Sequence, residues 1–205
     1  MLDLRLRTTK ERLTRRPAKI IGRHISANQL TALGLAITLG AAVAAAADQM
    51  LLGLGLWLIS RIADGLDGPV ARVRQEVSEF GGYTDLVADT VGYTAVPLGV
   101  AYGVGTSAAW TAVAFLLGAF YLNSVSWLYL SAVLEKRGTG ASTTGELTTV
   151  TMPSGLVEGA ETVIFFSAFL LFSSQAVILF SVMAVAVLVG VVQRFFLARS
   201  ALQPM

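Results

Sequence analysis

Apolar residues run through this chain in long blocks separated by short polar stretches. A bilayer core about 30 Å thick takes roughly 20 apolar residues per helical crossing. The blocks predict six such helices, at 28–47, 50–73, 81–103, 108–134, 154–173 and 176–197, with the fourth the longest. Six crossings occupy most of the 205 residues and leave no room for a second globular domain. The expected fold is therefore all-α: a six-helix membrane domain over 24–200, preceded by a basic interfacial segment over 1–23.

The polar stretches are not equivalent. Those near Asp48, Gly105 and Ser174 carry no Lys or Arg. The basic residues fall instead in the N-terminal segment, the 73–80 connection, the 135–152 loop, the C-terminal end, and at the helix ends with Arg61, Arg72 and Arg194. Basic loops stay on the cytoplasmic side, so both termini are expected there, and the alternation requires an even number of crossings. Residues 1–23 hold eight of the fifteen Lys and Arg, with Leu2, Leu6, Leu13 and Ile20 spaced by four and seven. That pattern predicts an amphipathic helix on an anionic lipid surface, broken near Pro17. No apolar core of a cleavable signal peptide follows it, so the segment is expected to be retained. Ser26 with Gln29 reads as a capping box opening the first helix, with Asn28 as the alternative cap. The 135–152 loop is rich in Thr, Ser and Gly.

Composition narrows the chemistry. Hydrophobic residues make up 55% of the chain and charged residues only 14%, against about 25% in a soluble domain. Mean hydropathy is +0.69. Cysteine is absent and His24 is the single histidine, which removes disulfides, thiolate metal sites and cysteine nucleophiles and leaves oxygen ligands for any metal. The basic excess lies at the expected cytoplasmic surface without a nucleic-acid motif, so it is assigned to lipid rather than nucleic acid.

One stretch departs from packing logic. Asp64, Asp67, Asp85 and Asp89 lie within 26 residues, the first two in Asp64-Gly65-Leu66-Asp67-Gly68-Pro69-Val70-Ala71-Arg72. Helical spacing puts Asp64, Asp67, Gly68, Ala71 and Arg72 on one face, and Gly81, Asp85 and Asp89 on one face of the next helix. The short turn between them makes antiparallel neighbours whose acidic faces meet near the cytoplasmic end. Four unpaired aspartates in a membrane would cost on the order of 10 kcal/mol. Arg61, Arg72 and Arg74 offer one source of compensation. A divalent cation is the better one, because hard carboxylates on facing helices form an oxygen cage suited to Mg²⁺ or Mn²⁺. Small Gly68 and Ala71, readable as close-packing residues, would there leave space for a diphosphate-bearing ligand, with the Arg72 guanidinium set to meet a phosphate oxygen.

The full spacing, Asp64-x2-Asp67-Gly68-x2-Ala71-Arg72-x8-Gly81-x3-Asp85-x3-Asp89, resembles the signature of the CDP-alcohol phosphotransferase family at every fixed position. Asn28-Gln29-Leu30-Thr31 is similar to the Pro-Asn-x-x-Thr stretch that opens the first helix in that family, with Ala27 in place of the proline. The resemblance implies a homodimeric membrane enzyme that moves a phosphatidyl group from CDP-diacylglycerol to an alcohol and releases CMP. It implies Asp64, Asp67 and Asp85 as metal ligands, with Asp89 at the edge of the metal site and serving as general base. Gly68, Ala71, Arg72 and Gly81 would line the cytidine diphosphate site.

The acceptor is less legible. Glu158 and Glu161 open the fifth helix at i, i+3, where they serve either as helix N-terminal charge or as acceptor ligands. Gly159 and Ala160 stand where relatives that use inositol phosphate are basic, which favours an acceptor without a phosphomonoester. Lys136, Arg137 and Arg194 are the alternative phosphate ligands. The pattern from Gly155 to Thr162 is also similar to a bacterial inner-membrane branch of the family. Two other readings compete: transfer from CDP-choline or CDP-ethanolamine to diacylglycerol, and ion-coupled transport, the latter disfavoured by the missing inverted repeat and by the cluster's place at one end.

Overall fold

The computed structural model describes Thr14 and residues 16–139 and 155–202. Most of the expected amphipathic segment and most of the 135–152 loop lie outside the described residues. Within them the chain is all-α. Six helices follow one another: α1 (Ala27–Ala46), α2 (Met50–Arg74), α3 (Glu79–Val104), α4 (Ser107–Lys136), α5 (Gly159–Leu171) and α6 (Ala176–Ala201), with a single 3₁₀ turn at Ser173–Gln175 before α6. Residues 16–21 are also helical and run through Pro17, so the break expected there is absent.

Local chemistry sets the helix ends. Ser26 caps α1: its Oγ accepts from the Gln29 N–H at 3.3 Å, and the Gln29 side chain accepts from the Ser26 N–H at 2.9 Å. Gln75 ends α2 in the left-handed region at φ 58°, and Ser78 caps α3 by accepting from the Gly81 N–H at 3.1 Å. The fifth helix begins at Gly159 rather than 154, because Glu158 and Glu161 form a reciprocal cap and the residues before Glu158 leave helical geometry. Its 13 residues make it shorter than the expected crossing.

α1, α4 and the Ser173–Ser200 stretch are long and apolar enough to cross a membrane. α2 and α3 have the length but carry the acidic and basic groups of the site. The arrangement differs from the expected direct pairing of α2 with α3. α1 packs extensively against both, whereas the two acidic helices make little backbone contact with each other. Small residues permit this. A Cβ at Gly99 or Gly103 would fall within 2.3 Å or 2.2 Å of the carbonyl oxygens of Ala42 and Ala45, so α3 lies backbone to backbone on α1. On the other side a Cβ at Gly53 of α2 would lie 3.1 Å from the Ala41 carbonyl oxygen. α4 packs mainly on α6, and buried Trp57, Phe166, Phe169 and Phe180 link α2, α5 and α6. α1 is thus a wedge that holds α2 and α3 apart at a fixed distance.

Two contacts join the basic ends. Arg74 Nη1 donates to the Gly22 carbonyl at 2.7 Å, and Arg137 Nη2 to the Leu202 carbonyl at 3.3 Å. The start of α1 therefore lies beside the end of α2, and the end of α4 beside the end of α6. Arg74 also bonds Glu76 at 2.8 Å, and that hydrogen bond holds the Glu76 carboxyl below its usual range.

Candidate metal centre and active site

The acidic faces meet in the gap that α1 maintains. Asp64, Asp67 and Asp85 each offer a carboxylate oxygen, and the three oxygens lie within 4.8 Å of one another. α2 supplies two of these side chains and α3 the third, roughly two to three turns above the α2 terminus by helix geometry. Asp67 is buried, at 8% exposure. Its Oδ2 accepts from Thr31 Oγ1 at 2.8 Å, and its Oδ1 from the Gly68 N–H at 2.6 Å. Neither donor carries charge, so a buried carboxylate in a three-carboxylate group lacks a cation of its own. Hard oxygen donors at that separation fit Mg²⁺ or Mn²⁺.

Asp89 is placed differently. It shares the α3 face with Asp85 but stands outside the three-oxygen group. Arg61 Nη1 donates to its Oδ1 at 3.0 Å, and Tyr93 Oη to its Oδ2 at 3.3 Å. Asp89 is expected at the edge of the metal site, and the lone pairs that Arg61 and Tyr93 leave on its oxygens remain open for that role.

The remaining signature residues surround the gap. A Cβ on Gly68 would lie 3.5 Å from Arg72 Nη1, so this glycine and the exposed Arg72 guanidinium are adjacent. Arg72 has no ion-pair or hydrogen-bond partner among the described residues. Ala71 lies on the same α2 face. Gly81 sits across the gap, where a Cβ would meet Ser78 Oγ at 3.2 Å and Asn28 Oδ1 at 3.5 Å, so Asn28 of α1 reaches the rim. A narrow cleft lined by Thr31, Gly34, Arg61, Asp64 and Asp89 opens beside the cage.

Sequence reasoning missed three contributors: Thr31 as a support for Asp67, Arg61 as the fixed partner of Asp89, and Tyr93 as the second donor to Asp89. A signal existed for Tyr93, four residues after Asp89 on one helix face, and for Thr31, which lies in the stretch that resembles the family's first helix. The acceptor candidates are held by contacts of their own. Glu161 accepts from the Glu158 N–H at 3.3 Å and so serves the start of α5. Lys136 is exposed at the α4 end, Arg137 bonds α6, and Arg194 is buried at 4% exposure with Nη1 donating to Asn123 Oδ1 at 2.9 Å.

Comparison with known proteins agrees with this geometry. The chain is 31% identical over 167 residues to the inner membrane protein YnjF of Escherichia coli K12, an alignment covering 81% of this chain and 80% of YnjF. It is 34% identical over 79 residues, 38% of this chain and 42% of the relative, to archaetidylinositol phosphate synthase of Pyrococcus horikoshii. Among solved structures it resembles Mycobacterium tuberculosis phosphatidylinositol phosphate synthase PgsA1 with CDP-DAG bound, with a TM-score of 0.73 at 21% identity over 95% of this chain and 98% of that one. PgsA1 in complex with manganese and citrate gives the same score at 20% identity, covering 94% of this chain and 93% of that one. The fold is that membrane fold. Residues 24–192 match the CDP-alcohol phosphatidyltransferase family, and with all eight signature residues set around one gap the chain is an integral membrane enzyme belonging to that family.

Proposed function

We propose that the protein transfers a phosphatidyl group from CDP-diacylglycerol to an alcohol, releasing CMP, in a reaction that depends on Mg²⁺ or Mn²⁺. The observation that carries this reading is the convergence of Asp64, Asp67 and Asp85 from two helices to within 4.8 Å, beside the small residues and the exposed Arg72. The similar PgsA1 structures, one with CDP-DAG bound and the other in complex with manganese, support the same donor and cofactor.

Asp64, Asp67 and Asp85 would hold the metal, with Thr31 fixing the Asp67 carboxylate. When bound, the metal neutralises the donor diphosphate and the CMP leaving group. Gly68, Ala71 and Gly81 leave the donor room to lie against backbone, and Arg72 meets a phosphate oxygen. Asp89 takes the proton of the acceptor hydroxyl. The hydroxyl oxygen bonds to the lipid-side phosphorus, and the bond from that phosphorus to the CMP oxygen breaks. Each Asp89 oxygen keeps a lone pair beyond the one used by Arg61 or Tyr93, so the held carboxylate can still accept that proton.

The helices are read as six crossings of a bacterial inner membrane, with residues 24–200 as the catalytic domain and 1–23 lying on anionic lipid. The contacts of Arg74 with Gly22 and of Arg137 with Leu202 gather the basic ends on one face, which supports cytoplasmic termini. A homodimer is the expected assembly. Incubating the purified protein with radiolabelled CDP-diacylglycerol and a panel of alcohols tests the reaction. A labelled phospholipid formed with one alcohol and Mg²⁺ is the expected result; label transferred only from CDP-choline or CDP-ethanolamine to diacylglycerol contradicts it.

A further inference from the structure

The last turn of α2, which carries Arg72, is joined to the rest of that helix through a weakened point. Pro69 lies inside α2, so the Gly65 carbonyl lacks the amide donor that would otherwise stand four residues on. A segment from another part of the chain covers this point. Residues 16–21 are helical, and Ala18, Ile21 and Ile25 pack in one cluster with Ala63 and Leu66 before the proline and Val70 after it. Ala18 and Val70 are both wholly buried. Gly22 lies close on the same turn, since a Cβ there would stand 3.6 Å from Val70 Cγ1 and 3.6 Å from Arg74 Cγ. Arg74 Nη1 closes the contact by donating to the Gly22 carbonyl at 2.7 Å. The N-terminal segment is therefore a splint across Pro69.

The opposite face of the splint carries charge. Arg16, Lys19 and Arg23 are exposed, Ile20 stands among them at 65% exposure, and no acidic residue occurs between 16 and 25. Cations around a projecting apolar side chain fit an anionic lipid surface, which attracts the charges and takes up the apolar group.

We propose that anionic lipid controls the donor site through this splint: lipid bound by Arg16, Lys19 and Arg23 holds the segment on α2, and the segment holds the turn that positions Arg72. Gly22 and Arg74 are then positioning residues for the donor diphosphate. The proposal deepens the function proposed above and rests on two parts of it, the lipid contact of residues 1–23 and the role of Arg72. It also fixes a sign. A negative surface repels an anionic nucleotide, so surface charge alone weakens CDP binding. Coupling through the splint strengthens it.

The test is the dissociation constant of CDP in the presence of Mg²⁺, measured by isothermal titration calorimetry on the purified full chain. The chain is held in nanodiscs of phosphatidylcholine, either alone or with about 30% phosphatidylglycerol as the anionic lipid. Wild type is expected to bind CDP about fivefold or more tightly in the anionic discs, the scale of coupling between linked sites. The triple variant Arg16→Gln, Lys19→Gln, Arg23→Gln should lose that gain, and so should Arg74→Gln. Adding Pro69→Ala returns an amide donor to Gly65, so it should restore tight binding to either variant in both lipids. Repair of α2 at Pro69 would not rescue residues whose role was only to hold the fold elsewhere. Wild-type binding that is weaker in the anionic discs, a gain kept by the triple variant, or no rescue by Pro69→Ala would overturn the proposal. The wild-type comparison decides it even where a variant does not fold. CDP binding in neither lipid would refute the proposed donor and this regulation together; CDP binding of equal strength in both would overturn the regulation alone.

Discussion

Replacing Gly99 by alanine probes the wedge that sets the width of the site. The added Cβ would stand 2.3 Å from the Ala42 carbonyl oxygen and 2.9 Å from its carbon, whereas ordinary contact begins at 3.4 Å. Both obstacles are backbone, so no side chain can rotate away, and α1 and α3 must part locally by roughly 1 Å. Overpacking of this kind costs about 1–3 kcal/mol, and the helix propensity of alanine over glycine returns up to about 1 kcal/mol. A net loss of about 1–2 kcal/mol is expected, which for a chain of this length lowers Tm by about 2–8 °C. Gly55 and Gly118 are the controls, because a Cβ at either meets nothing within 4 Å. The same substitution there should be neutral or stabilising. Thermal unfolding of the three variants in one detergent checks this. Gly99→Ala unfolding at or above the wild-type temperature, or the two controls falling as far as Gly99→Ala, would refute the backbone-to-backbone packing of α1 on α3.

Thr31→Val keeps the side-chain shape but removes the 2.8 Å hydrogen bond to Asp67; Mn²⁺ affinity should fall roughly 10–100-fold, and an unchanged affinity would remove Thr31 from the site. Asp89→Asn should retain donor binding while losing roughly 100-fold or more in kcat, whereas Asp85→Asn should lose binding of CDP-diacylglycerol as well; equal binding losses in both variants would contradict the division of roles. Glu158→Gln and Glu161→Gln should raise the KM for the acceptor without changing donor affinity if these carboxylates accept hydrogen bonds from its hydroxyls. A lowered Tm with unchanged KM would confine the pair to capping α5. A cysteine introduced at Thr144 should be labelled only from the cytoplasmic side, and external labelling would overturn the six-crossing topology.

The site was legible because its chemistry is local in sequence. The spacing of Asp64, Asp67, Gly68, Ala71 and Arg72 fixes one helix face, and that of Gly81, Asp85 and Asp89 fixes another, so the two faces follow from helical periodicity alone. Their mutual placement did not, because it depends on α1. A short turn from Gln75 to Ser78 suggests direct pairing, yet Gly92, Gly99 and Gly103 of α3 and Gly53 of α2 let α1 approach both helices more closely than they approach each other. The small-residue spacing on α3, at seven and four, was the available sign of that interface. Arg61 could be foreseen as a charge near the aspartates but not as the fixed neighbour of Asp89, since that requires Trp57 and Phe166 from different helices to shape the surface behind it. The late start of α5 follows from the Glu158 and Glu161 cap, a pairing visible in sequence as charge but not as geometry.

The central claim is that three carboxylates on α2 and α3 serve a metal that makes transfer from a CDP-linked lipid possible. The most direct measurement is CMP release from CDP-diacylglycerol by the purified protein, with its acceptor present, in excess EDTA and again after Mg²⁺ or Mn²⁺ is restored. Negligible CMP in EDTA, recovery with either ion, and little recovery in Asp67→Asn are the predicted results. Full turnover in excess EDTA, or wild-type turnover by Asp67→Asn, would contradict the account.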